Sequence, residues 1–179
     1  DTDRDTADRA SPTPAAAAAA AGDDTEFDVV IEVPKDSGVK YELEEVAGAG
    51  GKTRPRVDRI LSCAMTYPGN YGFIEDTLAD DGDCTDVLVM NEQPIQTGSV
   101  MRCRAIGMLS MEDEAGRDHK VLAVPVTAVD ARYRTIVDIA DVCGSVLRRV
   151  EHFFEHYKKT DEPERWSKVS GFRRRGEAL

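Results

Sequence analysis

Phe27, Val29, Ile31 and Val33 alternate with Asp28 and Glu32, a period-two pattern that predicts a strand with one buried face. Pro34 to Gly38 turns the chain. Val39, Tyr41 and Leu43 then alternate with Lys40, Glu42 and Glu44, so a second strand is expected with Lys40 and Glu42 on the same face. Gly48, Gly50 and Gly51 mark a loop, and the stretch between Glu45 and Arg56 reads as a long, glycine-rich, basic loop. Val87 to Met90 predicts a short buried strand. Val100 to Met108 and Val121 to Val126 predict two more, joined through Glu112 to Asp118 with Ala115-Gly116 as a hairpin tip. Apolar residues reach helical spacing in one long segment, Gly144 to Lys158, through Val146, Val150, Phe153, Phe154 and Tyr157. Strands first and a main helix late predict a mainly β domain of α+β type, a small barrel or sandwich flanked by helix.

The 179 residues suffice for one domain with a substantial core. Residues 1–24, with Pro12, Pro14 and alanines from Ala15 to Ala21, cannot bury a core and are expected to be a disordered tail; the folded domain is expected over 25–179. Lys and Arg total 23 against 34 Asp and Glu, a formal charge of −11. Bulk electrostatics therefore exclude nucleic acid as a partner and favour hard cations. No apolar run approaches the ~20 residues that cross a bilayer, so no membrane partner is expected. The cysteines, Cys63, Cys84, Cys103 and Cys143, form no CxxC pair and read as reduced thiols of an intracellular protein. The cytoplasm is the first expectation; the sequence starts at Asp1 rather than Met, which leaves an organelle open.

Charge clustering brings in the chemistry. Asp80-Asp81-Gly82-Asp83-Cys84-Thr85-Asp86 can converge three carboxylates on one point, which repel unless cations sit between them. An EF-hand is excluded because Thr85 and Asp86 stand where Asp or Asn and then Gly are needed. A solvated acidic turn fits the spacing equally well. In Glu112 to Lys120, Asp113 and Asp118 would face each other across the hairpin, with Asp118 and Lys120 on one face; by itself this reads as an ordinary charged loop. Arg59, then Tyr67 and Tyr71 beside Pro68, Gly69 and Gly72, could place phenolic donors in a cleft or simply pack a turn. His152 to His156 matches an HxxEH zinc pattern, but no third ligand accompanies it, so both histidines read as structural or surface residues. Tyr157 and Lys158, at the helix end, are better anion ligands. Many carboxylates combined with Lys40, Arg59, Lys120, Lys158, Tyr67, Tyr71 and Tyr157 form the inventory of metal-assisted phosphoryl transfer to water.

The stretches VVIEVP, KYELE, VDRIL, YPGNYGFI, DGDCTDVLV, GSVMRCRAIG, MEDEAGRDHK and EHFFEHYK, in this order and spacing from Phe27 to Phe172, closely resemble soluble family I inorganic pyrophosphatases. The resemblance implies an OB-like closed β-barrel with flanking α-helices, a catalytic domain over 25–179, and Mg²⁺-dependent hydrolysis of pyrophosphate to two orthophosphates. It implies metal ligation by Asp81, Asp86 and Asp118, by Asp113 with Asp118, and by Glu42. Asp83 would accept the proton of an attacking water that two metals acidify. Lys40, Arg59, Tyr71, Lys120, Tyr157 and Lys158 would bind the phosphate groups. Glu32, Tyr67 and Glu114 match active-site positions with less direct roles. A homo-oligomer is also implied.

Cys84 and Thr85 depart from the family signature, which has Pro and then an apolar residue there, while the aspartates around them are intact. Two other readings stay open: a short-chain polyphosphate hydrolase, and a non-catalytic cation- or polyphosphate-binding module. Asp83 argues against the second, because binding alone needs no base.

Overall fold

Val29, Ile31 and Val33 are fully buried and Asp28 is exposed, as the first alternating segment requires. The computed structural model describes residues 26–48, 50–79, 82–160 and 164–177; the tail expected over 1–24 lies outside them. The described chain is mainly β: β1 (Glu26–Val33), β2 (Val39–Glu45), β3 (Thr53–Ile60), β4 (Asn70–Ile74), β5 (Thr85–Val89), β6 (Val100–Asp113), β7 (Gly116–Arg117), β8 (Lys120–Pro125) and β9 (Ser167–Arg174), with one α-helix, α1 (Gly144–His156), among the described residues.

The pairings return on themselves. β1 runs antiparallel to β4, β4 antiparallel to β5, β5 parallel to β8, β8 antiparallel to β6, and β6 antiparallel to β1. The long strand β6 makes this ring. Val100 to Arg104 pair with β1, and Gly107 to Asp113 pair with β9. Between them the β6–β8 register shifts at Ala105–Gly107, and such an irregularity bends a strand and re-aims its side chains. Accordingly Met101, Cys103 and Ala105 join one apolar cluster, while Ile106, Leu109 and Met111 join another.

The two clusters explain the continuous apolar runs. Val87 and Val89 of β5 and Val121 and Ala123 of β8 pack with Val29 and Ile31. Leu88, Leu122 and Val124 point the other way and pack with Val150, Phe153 and Phe154 of α1. A strand buried on both faces needs apolar residues at every position, so its sequence does not alternate. The helix buries Val150, Phe153 and Phe154 as predicted, but Val146 is 41 % exposed. It belongs to the first helical turn, which lines a separate apolar cleft with Ile136 and Val142.

Three strands were not legible in the pattern. β3 occupies part of the expected loop and extends beyond it: the chain turns at Val46 to Lys52 and then pairs with β2 from Thr53 to Ile60. Its sequence, TRPRVDRI, is exposed at nearly every position and contains Pro55, so it carries no buried face to read. Pairing and cross-strand charges hold it, with Glu44 bridging Arg54 at 2.6 Å and also Arg56. β4 lies within the aromatic turn motif, and β9 follows the helix as SKVSGFRR, with only Ser167 and Val169 buried.

Gly72 is the tightest point of the ring. It pairs with Ile31, and a Cβ there would lie 1.9 Å from the Val30 carbonyl oxygen. Gly72→Ala should therefore force β1 and β4 apart, at a cost of at least ~2 kcal/mol, lowering Tm by roughly 4–8 °C. Gly38→Ala, with nothing within 4 Å of the added carbon, should leave Tm almost unchanged. Thermal unfolding of both variants beside the parent checks this.

Candidate active site

Tyr71 is fixed by β4 and Tyr67 by the turn before it, and both rest on the helix. Their ring centroids are 5.5 Å apart; Tyr67 packs 4.8 Å from Phe153, and Phe153 stacks on Tyr157 one helical turn later, also at 4.8 Å. The same helical face thus fills the core and sets Tyr157 at its end. Burial pushes the Tyr67, Tyr71 and Tyr157 phenols up, and the Asp86 charge adds to this in all three. They remain protonated donors at neutral pH.

The charged groups close around these rings. The parallel β5–β8 register pairs Val87 with Val121, so Asp86 and Lys120, one residue earlier on each strand, are neighbours. The Lys120 ammonium, its side chain only 3 % exposed, bonds both Asp86 and Asp118. Burial pulls its pKa down, but the two carboxylates outweigh that and hold it above the usual lysine range. Asp118 is raised by burial despite Lys120. Lys158 donates to Asp113 at 2.5 Å, and the Ala115 N–H donates to the same carboxylate at 2.9 Å. Burial works against Asp113, yet these donors keep its pKa below the usual value. On the opposite wall, the β2–β3 register sets Lys40 across from Arg59. Asp58 joins them, 3.3 Å from Lys40 and 2.9 Å from Arg59, while Lys40 also meets Glu42 at 2.8 Å.

The structure brings Lys40, Arg59, Tyr71, Asp83, Asp86, Asp113, Asp118, Lys120, Tyr157 and Lys158 to one cleft of about 240 Å³, with Tyr67 on its wall. Glu42 lies in an adjoining pocket of about 430 Å³ with Glu32 and Cys84; Lys40, Tyr71, Asp83 and Asp86 line both spaces. Asp81 lies outside the described residues. Glu114 pairs with Arg165 at 3.1 Å. As placed, no three His, Cys, Asp or Glu side chains among the described residues form a metal-binding group; the Lys120 and Lys158 ammonium groups meet the carboxylates there. His152 is exposed and stacks on His156 at 4.5 Å, as the surface reading expected.

Asp58, Arg117 and Arg165 were missed by the sequence reading. Asp58 pairs with Lys40 and Arg59, while Arg117 and Arg165 line the cleft. Asp58 had one available signal, its place beside Arg59. The two arginines reach the cleft only through the β6–β7 turn and the approach to β9.

Glu32 is a further surprise. Burial is the main reason its carboxyl is pushed up to about 7; the Asp86 and Glu42 charges add to this, and the Leu43 N–H and Lys40 oppose it.

A family model described as inorganic pyrophosphatase matches residues 29–179. The chain is 49 % identical over 147 residues to the inorganic pyrophosphatase of Campylobacter jejuni, covering 82 % of each chain. It is 51 % identical over 145 residues to that of Aquifex pyrophilus, covering 81 % of this chain and 78 % of the relative. The solved structure of the Helicobacter pylori inorganic pyrophosphatase is similar at a TM-score of 0.80 and 43 % identity, covering 87 % of this chain and 88 % of that one.

The Glu32 shift predicts a pH dependence. A carboxyl whose folded pKa is about 7 against 4.5 unfolded binds its proton more tightly when folded. Its contribution is fully present below pH 4.5 and is lost as pH rises through 7. In metal-free buffer Glu32→Gln should raise Tm by roughly 2–4 °C at pH 8.5, with a much smaller gain at pH 5. Thermal scans at the two pH values check the sign; an equal gain at both would remove Glu32 as the cause.

Proposed function

The chain belongs to the inorganic pyrophosphatase family, hydrolases of pyrophosphate, and we propose that it performs this reaction with Mg²⁺ in the Lys40–Lys158 cleft. One observation carries the reading: carboxylates and phosphate-type donors from separate segments of the chain converge on a single cleft.

The donor set fits Mg²⁺. Asp86, Asp113 and Asp118, with Glu42 beside them and Asp81 from the same acidic segment, offer the hard oxygens this ion takes. The carboxylates already attract cations, since Asp86 and Asp118 share the Lys120 ammonium and Asp113 holds that of Lys158. Bound there, Mg²⁺ supplies charge neutralisation and lowers the pKa of a water.

The residues of the chain do the rest. Asp83 lies where the cleft and the Glu42 pocket meet, which suits it to take a proton from the attacking water. Lys40 and Arg59 approach from the hairpin; Lys120, Tyr157 and Lys158 approach from the opposite wall. Two phosphate groups between these walls would meet cations on both sides, and charge growing on the leaving phosphate would be stabilised without reorganisation of the site. Tyr71, held protonated, donates a hydrogen bond and accepts no proton at neutral pH. Glu32 and Tyr67 shape the walls.

The closed five-pairing ring supports an OB-like barrel as the frame. A homo-oligomer is proposed from the family resemblance, with exposed Val137, Val146 and Trp166 as apolar surface available for contacts. Among the described residues no helix is long and apolar enough to cross a membrane.

Phosphate release from pyrophosphate with Mg²⁺ tests the reading directly. Activity should vanish after exhaustive EDTA treatment and return on adding Mg²⁺; full activity without metal would refute it. Asp83→Asn should lower turnover by at least ~10²-fold, as loss of a general base does, with Mg²⁺ affinity largely retained. Asp86→Asn should instead move the Mg²⁺ activation curve to higher concentration. Equal shifts of that curve in the two variants would contradict the separate roles.

A further inference from the structure

Beside the catalytic cleft, on the β6–β9 face, lies a second polar pocket of about 320 Å³. Alternation at the start of β8 makes it. Asp118 and Lys120 turn into the cleft, so His119, between them, turns to the other side. Its Nδ1 accepts the Met111 N–H at 3.2 Å, so the neutral ring keeps its proton on Nε2 as a donor. Arg117 and Arg173 add two guanidinium groups, and Ser110 and Ser170 add hydroxyls. Ser110 is only 6 % exposed as a residue, yet it lines this pocket. Glu112 is the one carboxylate on the lining, and its cross-strand neighbours, Arg117 on β7 and Lys168 on β9, are both cationic. In a chain of net charge −11 this is a local positive, donor-rich cavity.

We propose that this pocket is a second anion site for a phosphate-type dianion, coupled to the catalytic cleft through Arg117. Arg117 lines both spaces. An anion drawing its guanidinium towards the pocket withdraws positive charge from the cleft. The pocket's chemistry stands independently of the proposed function; the coupling rests on it. Free orthophosphate and the phosphoryl end of a phosphomonoester share the recognised chemistry.

The test uses the full chain, isotopically labelled and free of metal in EDTA. Orthophosphate and, separately, glycerol phosphate are titrated while the backbone amide shifts of His119, Ser170 and Gly171 are followed. Saturable shifts at these amides are expected with at least one anion, and the one that produces them identifies the source. Arg173→Ala and Ser110→Ala, each checked for a parental Tm, should weaken that binding about fivefold or more. Arg173→Ala should leave pyrophosphate hydrolysis without added anion unchanged within twofold. With Mg²⁺, an anion concentration that saturates the pocket should raise KM for pyrophosphate more in the parent than in Arg173→Ala. No saturable shift, or equal binding in both folded variants, would overturn the site; equal KM increases would overturn the coupling. A parent that binds at these amides but fails to hydrolyse pyrophosphate would refute the proposed function and leave the pocket standing.

Discussion

A lysine ammonium can be taken out of water only if carboxylates meet it, and Lys120, almost fully buried, is met by Asp86 and Asp118. The surrounding structure follows from placing these groups. Asp86 must come from β5 and Lys120 from β8 in a parallel register, and that register in turn needs the apolar Val87, Leu88, Val121 and Leu122 behind it. Removing one member of a buried pair typically costs about 3–5 kcal/mol, because the other charge is stranded. The solvent-exposed bridges of the β2–β3 hairpin constrain far less.

The sheet provides this precision by being buried on both sides. One face closes over Val29, Ile31, Cys103 and Ala123, and the other carries α1. β6 serves both, pairing with β1 along its first part and with β9 along its second. Its last residue, Asp113, reaches Lys158 just beyond the helix end. A single strand therefore connects the ring, the helix and the cleft.

Within the cleft the charges are arranged in opposition. Phenols are kept protonated by burial, Lys120 is kept charged by its carboxylates, and Glu32, in the adjoining pocket, is pushed towards neutrality. Cationic and acidic groups alternate around the cleft, with Lys120 against Asp86 and Asp118 and Lys158 against Asp113. Cations held by these carboxylates would favour an anion there, which is the electrostatic sense of the proposed Mg²⁺-assisted hydrolysis.

The sequence by itself determined those elements whose burial leaves a periodic trace. The alternation in Phe27 to Val33 and Val39 to Leu43, the apolar runs at Val87 and Val121, and the helical stripe ending at Tyr157 all reflect local geometry of a strand or helix. The acidic segment, Arg59, the tyrosines and the lysines were legible as candidate chemistry only in combination, because each motif alone reads equally as surface or core. Tertiary structure decided the rest. β3 is exposed on nearly every position and exists through its pairing with β2, so it has no pattern of its own. Gly72 looks like a turn residue until β1 passes within contact distance of it. Arg117 and Arg165 are ordinary surface arginines in the sequence, and Glu32, matched to an active-site position by resemblance, gives no local sign of its burial. Charge position and desolvation depend on distances between segments far apart in the chain, and no local period encodes those distances.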